Sequence, residues 1–335
     1  MLDIMLPHYG DLPLLQLAVN SVLAQTDDRW QLTVLDDNPA SRTDDGIPEW
    51  FGALEHPRVR YRRNPQNLGV TGNFQQCADL ATHPFMVIMG CDDVMLPGYV
   101  ARVHALIDAH PGAVLVQPGV EVIDAAGAVV RTLVDSTKRR VYAPKFSGTV
   151  EMAGEALAVS LLRGNWLYFP SLCWRTAEIQ AVGFDPALTV IQDLALILEL
   201  VVRGGALVAD EEVCFQYRRH GSSVSAASAV TGNRFSEARD FFLGAAARMD
   251  AHGWPRAARA ARWHLSSRIH ALTMLPAAAK QRSGGGVRVL TRYAFGSTRL
   301  EKPPVPDRRQ AGPPAPGRTP HDEEREGWES NPHGL

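Results

Sequence analysis

At 335 residues and 45% apolar composition, the chain is long enough for one large α/β domain plus an appendage. A formal net charge of −2 gives no global bias toward a nucleic-acid partner, and the few arginine clusters lack the regular aromatic interleaving of a single-strand binder. No stretch approaches the roughly 20 apolar residues of a membrane span, and Asp3 interrupts any leader-like N-terminus. The four cysteines (Cys77, Cys91, Cys173, Cys214) lack metal-pair spacing, so a cytoplasmic protein is expected.

Leu2–Leu6 reads as a buried strand. Asp11 and Pro13 then open a helix with Leu14/Leu15, Ala18/Val19 and Val22/Leu23 on one face. Gln31–Leu35 is a second strand, ending in Asp36-Asp37-Asn38-Pro39, and Arg58–Arg62 a third, followed by a polar loop from Asn64 to Gly69. A helix over Thr71–Ala81 leads into the apolar run Phe85–Met89, which stops at Gly90-Cys91-Asp92-Asp93. Pro97 opens the next helix, Pro111 stops it, and Ala113–Val116 is a fifth strand. Alternation of this kind predicts a mostly parallel sheet with helices on both faces and ligands beyond the carboxyl ends of the strands.

Beyond Val120 short strands and loops are expected to about Val150. A helix over Glu155–Leu162, the aromatic segment Asn165–Trp174 and a buried helix from Asp193 to Gly204 follow. Helices are expected over Asn233–Asp250 and Arg256–Leu272. The stretch from Lys302 onward, with eight prolines and many charges, is expected to be disordered. The predicted organisation is 1–228 as one α/β domain (halves 1–119 and 120–228), 229–300 as a basic helical region and 301–335 as a tail.

Paired carboxylates at two strand ends suit a reaction that must hold a nucleotide, neutralise a diphosphate and deprotonate a hydroxyl. Asp36-Asp37 also makes a turn by local hydrogen bonding. Asp92-Asp93 places two adjacent carboxylates where a buried sheet meets its crevice, which favours a cation, although one aspartate alone would cap the following helix. Asp193, read by itself, is a structural N-cap.

The ordered set of Pro7-His8-Tyr9-Gly10-Asp11, Ser21–Thr26, Val34-Leu35-Asp36-Asp37, Asn67-Leu68-Gly69 with Asn73, Asp92-Asp93 with Pro97, Gly183-Phe184-Asp185, Gln192-Asp193 and Tyr217-Arg218-Arg219-His220 resembles glycosyltransferase family 2 over about residues 1–225. The resemblance implies an inverting enzyme of GT-A fold that moves a sugar from a nucleotide-diphosphate donor to an acceptor hydroxyl with Mn²⁺ or Mg²⁺. It implies base-binding by Asp36 and Asp37, with Pro7 and Tyr9 lining the same pocket and Asn67 and Asn73 bordering it. Asp92 would contact donor and metal, Asp93 the metal, and Asp193 would be the general base. Arg218 and His220 would close over the diphosphate, His220 as a further metal ligand. Trp166 and Tyr168 serve either as an acceptor-side platform or as core. Two positions depart from the family pattern: Gly90 stands where another aspartate is common, and Gln192 where glutamate is.

The competing readings are a silent sugar-nucleotide-binding homologue, a receiver-type signalling module and a nucleotidyl transferase. The last two fit poorly, because a strand–helix unit precedes Asp36 and the first loop is not glycine-rich and basic. Between His252 and Leu300 lie nine basic residues and no acidic one. With Trp263, Leu265 and Ile269 they suit either peripheral contact of 255–300 with an anionic membrane, as a lipid-linked saccharide acceptor would require, or packing on the catalytic domain.

Overall fold

The computed structural model describes residues 1–39, 41–42, 45–131, 141–219, 233–280 and 284–296; the expected tail and His220 lie outside these. Nine strands form one sheet in the order β3-β2-β1-β4-β8-β6-β9-β5, with β7 also paired to β9. They are β1 (Leu2–His8), β2 (Trp30–Asp36), β3 (Val59–Arg63), β4 (Phe85–Ile88), β5 (Val94–Met95), β6 (Ala113–Ile123), β7 (Thr149–Met152), β8 (Cys173–Arg175) and β9 (Ala206–Arg218). Pairings β1–β2, β1–β4, β2–β3 and β6–β9 are parallel. Those of β8 with β4 and β6, and of β9 with β5 and β7, are antiparallel. The parallel expectation thus holds for the N-terminal half, while short antiparallel strands stitch the second half to it.

The helices are α1 (Leu12–Leu23), α2 (Ile47–Leu54), α3 (Gly69–Leu80), α4 (Tyr99–Ala109), α5 (Gly154–Arg163), α6 (Thr176–Val182), α7 (Gln192–Val202), α8 (Asn233–Ala251), α9 (Pro255–Trp263), α10 (Leu265–Lys280) and α11 (Gly284–Phe295). Side chains alternate across each strand, and the two faces feed separate cores. Leu2, Ile4, Leu6, Leu32, Val34 and Val87 pack with Val19 of α1, Phe51 of α2 and Val103 of α4. Met5, Leu35, Met86 and Ile88 face the other way, toward Cys77 of α3, Leu161 of α5 and Ile197 of α7.

That second core also takes in Phe235, Phe242, Ala257, Ala261, Leu290 and Tyr293. The basic helical region is therefore continuous with the catalytic layer, and Met1–Arg299 form one compact unit. Arg248 of α8 pairs with Glu199 of α7, and Glu155 of α5 accepts the backbone N–H groups of Arg256 (2.6 Å) and Ala257 (3.2 Å) at the start of α9.

Strand β9 was not apparent from the sequence, because Asp210-Glu211-Glu212 interrupts its apolar run. Arg102 of α4 compensates those charges, donating to Asp210 at 2.6 and 3.0 Å and reaching Glu212 at 3.1 Å. The register slips at the same place. Gly119 makes the slip possible, since a Cβ there would lie 2.5 Å from the Glu211 carbonyl oxygen.

Candidate active site at the carboxyl edge of the sheet

The topology brings distant segments to one rim. Strands β2, β1 and β4 run parallel, so Asp37 and Asp92-Asp93 leave the sheet from the same edge. Because β8 runs antiparallel to β4, with Val87 opposite Cys173, the segment entering β8 starts at that edge too. Strands β6 and β9 are parallel to each other, and β6 is antiparallel to β8, so β9 delivers Tyr217 and Arg218 to the same side. A cavity of about 270 Å³ lined by Phe51, Leu54, His56 and Tyr61 sits at the amino end of β3, away from this rim.

Adjacent residues Asp36 and Asp37 diverge. Asp36, the last residue of β2, is fully buried. Its carboxylate accepts from the Tyr61 hydroxyl (2.6 Å), Arg63 Nε (2.7 Å) and the Asn38 backbone N–H (3.0 Å), and Arg63 also donates to Asp45 at 2.6 Å. Burial and Asp36 hold the Tyr61 phenol above its ordinary range. These bonds hold the Asp36 oxygens inside the protein, where the side chain braces the strand end.

Asp37 clamps the polar loop onto the sheet. Its Oδ1 accepts from Asn64 Nδ2 (2.9 Å) and Leu68 N (2.8 Å), and its Oδ2 from Gly69 N (3.0 Å), while Asn67 Nδ2 donates to its carbonyl (2.7 Å). Gly69 at φ 70° occupies the left-handed region as the first residue of α3, which a glycine adopts without strain. Asn73 is buried, with Nδ2 on the Leu35 carbonyl (3.1 Å) and Oδ1 accepting from Asn64 (3.3 Å). Asn64, not singled out in the sequence, is the hub, and its own Oδ1 is buried without a partner. Tyr9 is 65% exposed beside this rim, and the Gly10 loop carrying it is bonded to Asn38. Pro7 lies within β1, opposite Leu35.

Asp93 is buried and Asp92 half-buried. Burial first, and then the Asp92 carboxylate, push Asp93 well above the usual carboxylate range, against the opposing pull of the Arg218 backbone N–H, which donates to Asp93 Oδ1 at 2.8 Å. The same causes push the Cys91 thiol up to about 12, so it stays uncharged. Gly90 fits this packing: a Cβ there would lie 2.4 Å from Asp93 Oδ2 and 3.1 Å from Asp92 Oδ1. A side chain at this position would require the Asp93 carboxylate to shift. Arg218 is buried and spends its guanidinium on the carbonyls of Asp92 (2.6 Å), Asp124 (3.0 Å) and Ala125 (3.3 Å). These bonds clamp the acidic pair to the loop at Asp124-Ala125. Among the described residues no three His, Cys, Asp or Glu side chains gather as a metal cage. Two carboxylates suit a hard cation that takes its remaining ligands from phosphate and water.

Asp193 opens α7, half-buried. Its Oδ1 accepts the Leu194 N–H (2.7 Å) and its Oδ2 accepts from Asn165 Nδ2 (3.2 Å). Two chains of contact join it to the other carboxylates. One runs from Asp37 through the start of α3, where Thr71 donates to the Leu188 carbonyl at 3.0 Å, to the turn before α7. The other runs from Asp93 through the Arg218–Tyr217 strand end and the Tyr168 ring, 5.3 Å from that of Tyr217, to Asn165. Trp166 and Tyr168, read from the sequence as either acceptor platform or core, are 5% and 6% exposed, and Trp166 Nε1 donates to Ser160 Oγ (3.1 Å).

The turn before Asp193 is held from outside the N-terminal domain. Glu237 of α8 accepts from the backbone N–H groups of Thr189 (3.2 Å), Val190 (2.9 Å) and Ile191 (3.0 Å) and from the Thr189 hydroxyl (2.8 Å). These bonds hold its carboxyl below the ordinary range against the effect of burial. Gln192 is buried with Oε1 unpartnered, so the second carboxylate beside Asp193 at this helix start is that of Glu237. Glu237→Ala should lower turnover by on the order of 10- to 100-fold through displacement of Asp193, with the donor KM unchanged. Steady-state kinetics on a folded variant checks it, and a change confined to donor KM would contradict it.

Residues 3–152 match the sequence profile described as glycosyl transferase family 2. The succinoglycan biosynthesis protein ExoO of Rhizobium meliloti (strain 1021) is 25% identical over 209 residues, 62% of this chain and 58% of that protein. The alignment thus spans less than two thirds of that relative. Among solved structures, S. aureus TarS 1–349 in complex with UDP-GlcNAc superposes with a TM-score of 0.56 at 12% identity, covering 88% of this chain and 92% of that one. The mannosyltransferase PcManGT from Pyrobaculum calidifontis, in complex with GDP-Man and Mn²⁺, gives 0.52 at 16% identity, covering 87% and 81%. The fold is the GT-A arrangement that the sequence motifs implied.

Proposed function

We propose that this chain, whose residues 3–152 match the glycosyltransferase family 2 profile, moves a sugar from a nucleotide-diphosphate donor to an acceptor hydroxyl in a single inverting displacement. The observation that carries the reading is the delivery of Asp37, Asp92-Asp93 and Asp193 to one edge of the sheet. Asp37, already fixing the Asn64–Gly69 loop, holds the base side of the donor, and exposed Tyr9 covers it. Asp92 and Asp93 would hold Mn²⁺ or Mg²⁺, which supplies positive charge to the departing diphosphate. Asp193 takes the acceptor proton as the acceptor oxygen bonds to the anomeric carbon and the bond from that carbon to the diphosphate breaks. Asn165, on Asp193 Oδ2, orients the base.

The acceptor is a saccharide, free or lipid-linked, in cell-surface polysaccharide assembly on the cytoplasmic side. The likeness to a succinoglycan biosynthesis protein supports this. Thermal melts against a panel of nucleotide sugars test the reading. One class of donor should raise the melting temperature by on the order of 5 °C at saturating concentration, and only with Mn²⁺ or Mg²⁺ present. A panel with no such donor would refute it. Binding without donor turnover would identify a silent homologue, for which Gly90 and Gln192 are the departures to examine.

A further inference from the structure

Among the described residues of helix α10, the fully buried side chains are alanines, Ala271 and Ala278, and Met274 and Leu275 pack partly buried on the core, whereas Leu265, Ile269 and Leu272 are 59%, 47% and 38% exposed. With exposed Pro276 they recur at i, i+4, i+7 and i+11, one stripe of the helix. Trp263, the last residue of α9, is 59% exposed just before the stripe. The end of α11 is tied to the first turn of α10, because Arg268 donates to the carbonyls of Ala294 (3.1 Å) and Gly296 (3.0 Å) and the Tyr293 hydroxyl donates to Ser267 (2.6 Å). This brings Phe295, 73% exposed, to the same neighbourhood. An ordinary surface helix presents the opposite pattern, and a large apolar patch on water marks a contact surface.

The surrounding charge selects the occupant. Residues 252–300 carry nine basic side chains and no acidic one, and Arg256, Arg259, Arg288 and Arg292 are exposed. A second copy of the same face would bring like charge onto like charge, with no carboxylate in the segment to relieve it. An anionic bilayer complements both features: apolar side chains enter the boundary between head groups and acyl chains while arginines meet lipid phosphates. Among the described residues no helix is long and apolar enough to cross a membrane, so the contact is peripheral.

We propose that the Trp263–Leu265–Ile269–Leu272 stripe, with its arginine border, docks this protein on an anionic membrane surface. The docking deepens the lipid-linked form of the acceptor reading but does not depend on transfer. The test is co-sedimentation of the full chain with phosphatidylcholine vesicles with and without phosphatidylglycerol. The wild type should pellet with the anionic vesicles at low salt and be released at high salt. A Leu265→Ser/Ile269→Ser variant of unchanged helix content should partition roughly tenfold less. Asp193→Asn should pellet like wild type, so loss of transfer and loss of docking are read separately. Failure of the wild type to pellet, equal pelleting of the double variant, or concentration-dependent dimers abolished by the same substitutions would each overturn the proposal.

Discussion

Replacing Asp193 with asparagine is expected to lower transfer roughly 10²- to 10⁴-fold, the usual contribution of a positioned general base, with donor binding retained. The substitution is nearly isosteric, and the side-chain oxygen still accepts the N–H of the neighbouring Leu194 in the first turn of α7. Asn165 Nδ2 loses its Oδ2 acceptor in this variant, but the contacts of Asp37 and Asp93 do not involve residue 193, so the donor pocket stays formed. The loss should fall equally on kcat and kcat/KM, because the proton is taken only as the acceptor attacks. A donor-induced thermal shift equal to that of wild type, beside an inactive transfer assay, is the expected pair of readings. Turnover within a few-fold of wild type would remove Asp193 from the reaction.

The second large effect concerns the acidic pair. Asp92→Ala should weaken Mn²⁺-dependent donor binding by on the order of 100-fold, leaving the metal-free melting temperature close to wild type because Asp92 is half-buried. Asp93 behaves differently, since burial and then Asp92 hold its folded-state proton affinity well above that of an unfolded carboxylate. A group raised in this way stabilises the fold fully below the unfolded value near pH 4, and that contribution is lost as pH rises through the folded-state value. In EDTA, wild type should therefore lose stability relative to Asp93→Asn as pH rises across this window, and Mn²⁺ should restore it in wild type alone. Thermal melts of both proteins at matched pH read the difference. A wild type that gains on the variant with rising pH would contradict the assignment.

The sequence was most legible where a local rule had one outcome. The apolar run Phe85–Met89 and its abrupt end at Asp92-Asp93 allow little besides a buried strand meeting a crevice, and the structure places β4 there. It was less legible where one pattern serves two ends. Asp36 and Asp37 are equivalent as text, yet successive residues at a strand end point to opposite faces, giving Asp36 to Tyr61 and Arg63 and Asp37 to the loop before α3. The Trp166–Phe169 run looks alike as a sugar platform or as core, and its burial comes from both cores, Trp166 packing with α5 and α7 and Tyr168 with the opposite layer. Glu237 left no trace, because its role depends on α8 folding back over the turn at Thr189–Ile191. The stripe on α10 was legible as amphipathic composition, but which face met solvent depended on alanines filling the narrow gap to the neighbouring helices.

The measurement that bears most directly on this account is a crystal structure of the chain with a nucleotide diphosphate and Mn²⁺, using the anomalous signal to locate the ion. The expected result is manganese against Asp92 and Asp93 with the diphosphate beside it, the base over Asp37 and Asp193 facing the space left for the sugar. Manganese away from the acidic pair, or the nucleotide seated in the cavity between α2 and β3 at the opposite edge, would contradict it.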